Sequence, residues 1–349
     1  MINHARHTVT EDDISTVVDV MHSPWLTQGP MVRALEAKMC AATGSQYAVA
    51  VSSGTAALWC AYTATAEIRR ATKVHTTPIS FMATANAAAL AGLEVVFHDI
   101  DSPETGELLT FPDEDIVAPV WLRGSVPDTW TWSDTPVETG VVVDACHCLG
   151  AANLPTSIYD AVCLSLHPTK AVAAGEGGIV LTDSKDIAVI CRSLRDHGRE
   201  DGQMTRLGFN LRMDEMSAAL AYSQMDRLQE GVEQRRSIAG WYDRALRAIP
   251  GLYTIAHDHN SAFHLYQVRI DNAKLTRGDL RVALYERGID TQVHYRPITS
   301  EPWWREKLGD QTFPNAELFA AQVLAIPMYA GLTASERLFI SNTLYELLV

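Results

Sequence analysis

Six lysines occur in the chain, and five lie in charged helices, turns or element ends. Lys170 is different. It closes Leu164-Ser165-Leu166-His167-Pro168-Thr169-Lys170, an apolar run entering a turn, and Gly175-Glu176-Gly177-Gly178 follows shortly after. Apolar surroundings or a neighbouring cation weaken an amine's hold on its proton, and the freed amine is a nucleophile. The plain alternative is a surface lysine in a loop.

Asp144 ends the run Val141-Val142-Val143, upstream of Lys170. A carboxylate at a buried strand end needs a partner. A protonated pyridine nitrogen would be one, and that pairing keeps the ring cationic and electron-withdrawing. Capping the next helix is the other use of such an Asp. Ser52-Ser53-Gly54-Thr55-Ala56-Ala57 lies between a strand-like run and a helical one. Gly54 permits close backbone approach, and the N–H groups of Thr55 and Ala56 can face an anion at a helix N-terminus. An ordinary Ser N-cap uses the same residues. Ser165 can add a hydroxyl. Phe81, in Pro78-Ile79-Ser80-Phe81-Met82-Ala83-Thr84, could stack on a flat ring or pack in a core. An amine, a carboxylate, an anion cradle and an aromatic together suit pyridoxal 5'-phosphate (PLP).

These residues must be positioned by alternating strands and helices. Strand-like runs are expected at 47–51, 74–77, 93–98, 141–143, 161–166 and 179–182, with helices at 55–69 and 82–91. Runs this continuously apolar argue an α/β fold with a largely parallel, helix-covered sheet. Ligands in such folds sit beyond the carboxyl ends of the strands, where the polar residues above fall. A long helix is expected over 213–248, then strands at 265–270 and 291–293 and helices at 277–287 and 334–347. This divides the chain into a large domain, 1–225, and a smaller α+β C-terminal domain, 226–349. The first twenty or so residues are expected to pack on the small one.

At 349 residues the chain exceeds one ordinary core, which supports two domains. A formal net charge of −14 argues against a nucleic-acid partner and against a membrane surface. The first residues lack an apolar core such as a signal peptide carries, and no run is long and apolar enough to span a bilayer. Six cysteines in mostly apolar or small-residue surroundings fit a reducing, cytoplasmic setting without disulfides. Cys146-His147-Cys148 lacks C-x-x-C spacing and a second ligand pair, so no metal site is expected.

Taken together, the segments resemble the DegT/DnrJ/EryC family of fold-type I, PLP-dependent nucleotide-sugar aminotransferases, nearly end to end. Trp25-Leu26-Thr27-Gln28-Gly29-Pro30 looks like that family's N-terminal active-site loop. Ser52-Ser53-Gly54-Thr55-Ala56-Ala57-Leu58 looks like its phosphate turn, and Phe81-Met82-Ala83-Thr84-Ala85-Asn86-Ala87 like its ring-stacking segment. Asp144-Ala145-Cys146-His147 matches D-A-A-H, and Ser165-Leu166-His167-Pro168-Thr169-Lys170 matches S-F-H-P-x-K. Leu207-Gly208-Phe209-Asn210-Leu211-Arg212-Met213 matches L-G-F-N-Y-R-M, while His264-Leu265-Tyr266 and Gln292-Val293-His294-Tyr295-Arg296-Pro297 match its C-terminal part.

The resemblance implies Lys170 as the Schiff base, Asp144 on the pyridine nitrogen and His147 beside the ring hydroxyl. Asn210 would reach the cofactor phosphate of a neighbouring subunit, implying a homodimer with shared sites. Trp25, Thr27, Gln28, His294 and Tyr295 would contact substrate. The implied reaction moves an amino group from L-glutamate to a nucleotide-linked keto-sugar. The loop 25–30 and Thr291-Gln292-Val293-His294-Tyr295 look most like the branch aminating UDP-4-keto-6-deoxy-N-acetylhexosamines. Trp121 stands where the family pattern P-V-H-x-x-G has His, and Thr299 and Ser300 stand where a further His is usual. A cyclic ketone that is not a nucleotide sugar, or a non-catalytic PLP-binding role, are the alternative readings.

Overall fold

The computed structural model describes residues 1–108, 115–127, 139–152, 154, 156–272 and 274–349. The chain begins with helices α1 (Glu11–Met21) and α2 (Pro30–Thr43) and enters β1 (Tyr47–Val51). Then follow α3 (Gly54–Arg69), β2 (Lys73–Thr76), α4 (Ala83–Leu90), β3 (Glu94–Phe97), β4 (Ile116–Ala118), β5 (Gly140–Asp144), β6 (Ala161–Ser165) and β7 (Gly178–Thr182). Helix α5 (Lys185–Leu194) and a short hairpin, β8 (Arg199–Glu200) with β9 (Gln203–Met204), lead to α6 (Glu215–Gln224) and α7 (Leu228–Leu246). The remainder is β10 (Leu252–Thr254), β11 (Tyr266–Ile270), α8 (Arg277–Glu286), α9 (Pro302–Leu308), α10 (Pro314–Gln322), β12 (Val323–Ile326) and α11 (Ala334–Leu348).

Seven strands form one sheet in the order β1-β7-β6-β5-β4-β2-β3. All run the same way except β7, which is antiparallel to both β1 and β6. The sheet is therefore mixed but mostly parallel. Strands β5, β6 and β7 are buried at every residue. Such continuous burial follows from helices covering both faces. One face packs Leu35, Met39, Val143, Leu164 and Leu181. The other packs β-strand valines against the small residues Ala57, Ala61 and Ala64 of α3, whose short side chains let that helix lie close.

The C-terminal part has its own three-stranded sheet, β10-β11-β12, with a core of Tyr242, Tyr266, Leu280, Leu324 and Ile340. A further cluster joins it to the large sheet: Ile79, Phe97 and Leu122 meet Ile255, Trp304, Phe319 and Val323.

Two expectations are corrected. The single helix over 213–248 is two, because Met225–Arg227 forms a 3-10 turn between α6 and α7. Gln224, Met225 and Leu228 keep right-handed helical angles and Arg227 departs (φ −112°, ψ 13°), yet the apolar spacing runs through the break. Residues 291–293 form no strand; Gln292 makes one isolated bridge to Ala325, a single exchange of backbone hydrogen bonds. At the start of the chain, Ile2 and His4 pair through backbone with Gly288, Asp290 and Met328, and Asp13 of α1 receives Arg227 Nη1 at 2.8 Å.

Candidate active site

The functional candidates gather where the strands end. Chain direction puts the exits of β1, β2, β5 and β6 on one edge of the sheet. Reversal of β7 brings its start, Gly178, to that same edge. A Cβ on Gly178 would lie 2.2 Å from the Ser53 carbonyl oxygen, so the backbone of the Ser53-Gly54 turn and β7 can pack only if this residue is glycine.

A cavity of about 730 Å³ opens there, within the range of small-molecule sites. Gly54, Thr55, Phe81, Asp144, His147, Ser165, Lys170, His294 and Tyr295, all singled out in the sequence, line it. Lys170 sits in a turn closed by its own N–H, which donates to the His167 carbonyl at 2.8 Å. Gln224 clamps the downstream loop. Its Nε2 donates to the Ala173 carbonyl at 2.8 Å and its Oε1 accepts the Ala173 N–H at 2.9 Å. Desolvation in the cavity lowers the Lys170 pKa, so more of the amine is free at a given pH.

Asp144 is 6% exposed at the end of β5. Thr84 Oγ1 donates to its Oδ2 at 2.6 Å and the Cys146 N–H to its Oδ1 at 3.2 Å. Ser80 Oγ lies 2.6 Å from Thr84 Oγ1, so α4 and its approach hold the carboxylate from one side. Phe81 is 52% exposed rather than in the core, and its ring centroid lies 6.1 Å from that of Tyr295. Tyr295 OH is 3.1 Å from His147 Nε2.

At the start of α3, Ser53 Oγ accepts the Ala56 N–H at 3.1 Å. The N–H groups of Gly54 and Thr55 belong to the first helical turn and have no carbonyl within the helix, which leaves them for an anion. Ala56 thus differs from its neighbours, since its donor is engaged by the cap. Gly54 keeps that approach open: an added Cβ would meet Ser165 Cβ at 3.0 Å and Cys146 Sγ at 3.2 Å. A buried carboxylate, a desolvated amine, an exposed aromatic and a glycine anion cradle are the donor set PLP requires, and they fit it.

Trp25, Thr27, Gln28 and Asn210 are not among the residues lining this cavity. The loop bearing Trp25, Thr27 and Gln28 is held at the start of α6 instead. Thr27 bridges to Asp214, and the Glu215 N–H donates to the Leu26 carbonyl at 3.0 Å. Glu215 is fully buried and accepts the N–H groups of Gly29, Met31 and Val32 at 2.8, 2.6 and 3.2 Å, fixing the 25–29 loop on the start of α2. Asn210 is exposed, and its Oδ1 accepts the Arg212 N–H at 3.4 Å.

Sequence reasoning passed over several lining residues. Asn3, His4 and Ala5 reach the cavity through backbone pairing with the C-terminal part, which leaves no local signal. Thr84 and Gln224 act through hydrogen bonds to residues distant in sequence.

Four imidazoles cluster at the cavity. The His147 and His264 rings lie 4.4 Å apart and those of His4 and His294 lie 5.1 Å apart. Burial holds His147 and His264 well below the usual value, lowers His4 to about 4 and lowers His294 to about 3. The unfolded chain therefore binds these protons first as pH falls. Stability from the neutral rings is intact above about 6.5 and is lost on acidification toward the folded values, at up to about 1.4 kcal/mol per pH unit for each group. The thermal midpoint is expected to fall between pH 6.5 and 4, less steeply in His4→Phe. An unchanged slope in that variant would refute the assignment.

The geometry has a counterpart among known proteins. The model of the DegT/DnrJ/EryC1/StrS aminotransferase family matches residues 7–344. The spore coat polysaccharide biosynthesis protein SpsC of Bacillus subtilis is 32% identical, over 93% of this chain and 91% of that protein. PseC of Helicobacter pylori, an aminotransferase involved in the biosynthesis of pseudoaminic acid, superposes with a TM-score of 0.91 at 25% identity, covering 99% of each chain. NtdA of Bacillus subtilis, solved with the cofactor PMP bound, has a TM-score of 0.87 at 23% identity, over 97% of this chain and 83% of that one. The chain belongs to the DegT/DnrJ/EryC1/StrS aminotransferase family, a family of PLP-dependent sugar aminotransferases. Among the described residues no helix is long and apolar enough to cross a membrane.

Proposed function

We propose that the protein transfers the amino group of L-glutamate to a 4-keto-6-deoxy nucleotide sugar, a reaction of the kind run by a UDP-4-amino-4,6-dideoxy-N-acetyl-β-L-altrosamine transaminase. The observation that carries this is one cavity uniting Lys170, Asp144 and the Gly54–Thr55 cradle with His294 and Tyr295. PseC supports the sugar branch, and SpsC places a relative in polysaccharide biosynthesis.

When bound, PLP supplies an aldehyde that carries the amino group and a pyridinium that withdraws electrons from the reacting carbon. The residues do the rest. Gly54 and Thr55 would hold the cofactor's phosphate through backbone N–H groups, with Ser165 adding a hydroxyl and Phe81 an aromatic surface for the ring. Asp144, its carboxylate fixed by Thr84, would keep the ring nitrogen protonated. Lys170 Nζ would take and return the proton at the donor Cα, acting as base and then acid. His147, neutral at pH 7, can exchange a hydrogen bond with the ring hydroxyl without adding a second cation. One site must serve both substrates in turn, which gives ping-pong kinetics.

The test is a visible spectrum of the PLP-loaded protein before and after L-glutamate, then with UDP-linked 4-keto-6-deoxy-N-acetylhexosamine. Glutamate should convert the cofactor to its amine form and the keto-sugar should restore it. Conversion without restoration by any nucleotide sugar would point to a different ketone. No conversion by glutamate or glutamine would leave a binding protein.

A homodimer with shared sites completes the reading. Leu207, Phe209 and Met204 are 83%, 60% and 67% exposed around Asn210. Apolar side chains grouped like this favour a covering partner. Asn210 would then face the partner's cavity. Inactive Lys170→Ala and Asn210→Ala proteins, mixed after mild unfolding, should regain part of wild-type activity through hybrid dimers holding one intact site. Mixtures that stay inactive while forming hybrids would place Asn210 in its own subunit's chemistry.

A further inference from the structure

A second cavity, of about 290 Å³, lies behind Lys170, which lines both. Exposed Arg6 and His7 stand at its mouth, with Arg227, Glu230, Gly231 and Ala330 around it. Arg235 of α7 lines it while only 5% exposed. On that helix Val232, Arg235, Ile238, Ala239 and Tyr242 are all buried. Arg235 thus takes a core position on a helix whose flanking residues pack into different cores, Val232 with the large sheet and Ile238 with the small one.

A guanidinium in such a place needs an anion. Its Nε is covered and has no hydrogen-bond partner among the described residues. Burial alone acts on it, lowering the pKa to about 10, and among the described residues no carboxylate counters that. The acids nearby are engaged elsewhere: Glu230 Oε1 accepts from Gln234 Nε2 at 3.2 Å, and Asp13 holds Arg227. Burying a charge without a partner is strongly unfavourable, so a counter-ion is the simplest way to balance it. The planar fork of arginine matches a carboxylate with two parallel bonds.

We propose that this cavity is a carboxylate-binding site built on Arg235. A carboxylate there has two possible sources. It can belong to a reactant whose other end is at Lys170, or to a free acid acting as an effector. The site itself does not depend on which reaction the enzyme runs.

The probe is glutarate, a dicarboxylate with no amino or keto group and so inert to transfer. Calorimetric titration of the PLP-loaded protein should show saturable binding. Arg235→Met should weaken it at least about tenfold while cofactor absorbance is kept. Arg235→Lys, which keeps charge and loses the fork, should fall between and serves if the Met variant does not fold. Inhibition of amino transfer by glutarate then separates the sources: competition with the amino donor assigns a reactant carboxylate, and non-competitive inhibition assigns an effector. Equal affinity in wild type and variants, or no binding at millimolar glutarate, would overturn the proposal.

Discussion

Lys170→Ala is expected to bind PLP yet lose turnover by about 10⁴-fold or more. Two functions end with one side chain. The amine that carries the cofactor is gone, and so is the group that moves the proton at the donor Cα. What remains is intact: the Gly54–Thr55 cradle, Asp144 and Phe81 are carried on other elements, so affinity should survive. The Lys170 loop is clamped through Ala173 backbone by Gln224 and not through the lysine side chain. The fold should therefore be unaffected, and circular dichroism and thermal melting would show this. Single-turnover measurement with glutamate is the decisive readout. A variant that converts the cofactor at the wild-type rate would remove Lys170 from the chemistry. Added small primary amines should restore part of the rate if proton transfer is what was lost.

Asp144→Asn is the second. Asn has nearly the shape of Asp; its one amide oxygen can still accept the Cys146 N–H, while its NH2 takes the place of Oδ2 and donates to Thr84 Oγ1, whose own hydrogen can turn to Ser80 Oγ. The change thus isolates charge. Without it the ring nitrogen has no anion to hold its proton, and the reacting carbon loses its electron sink. A fall in kcat of about 10³-fold is expected, comparable to removing a preorganised electrostatic contact elsewhere. The variant should keep its cofactor, with absorbance shifted. Loss of affinity alone, at unchanged kcat, would make Asp144 a binding residue and would disprove the role assigned to it.

Much of this was legible from residue types at strand ends. Asp144, Lys170 and Gly54 each terminate or follow an apolar run, and a parallel sheet sends such ends to one edge. Periodicity over β5, β6 and β7 marked them because burial on both faces leaves no polar positions. Three things were not legible. The reversal of β7 depends on loop geometry between 166 and 177, and an apolar run has no direction written in it. The break between α6 and α7 carries no proline or glycine, so spacing alone runs through it. The partnerships of Thr84, Gln224 and Glu215 join residues far apart in sequence, and no local pattern encodes those. Arg235 was hidden for a related reason: in a charged helix it reads as solvated, and only packing reveals it in the interior.

The reversal of β7 has a kinetic consequence. Strands β6 and β7 are successive in the chain and antiparallel, so the loop bearing Lys170 is the connection of a hairpin, closed at its base where the Leu166 N–H donates to the Gly177 carbonyl. A hairpin brings its ends together over a short length of chain, at small closure entropy, whereas each parallel pairing elsewhere in the sheet must wait for a crossover. The lysine loop can therefore take its final shape among the earliest parts of the sheet. Asp144 meets it only when β5 docks alongside. The turn of the reactive amine is shaped by local contacts, while its Gln224 clamp and its counter-charge come from distant ones, so a chain caught midway through folding would hold the turn before it could hold the cofactor ring.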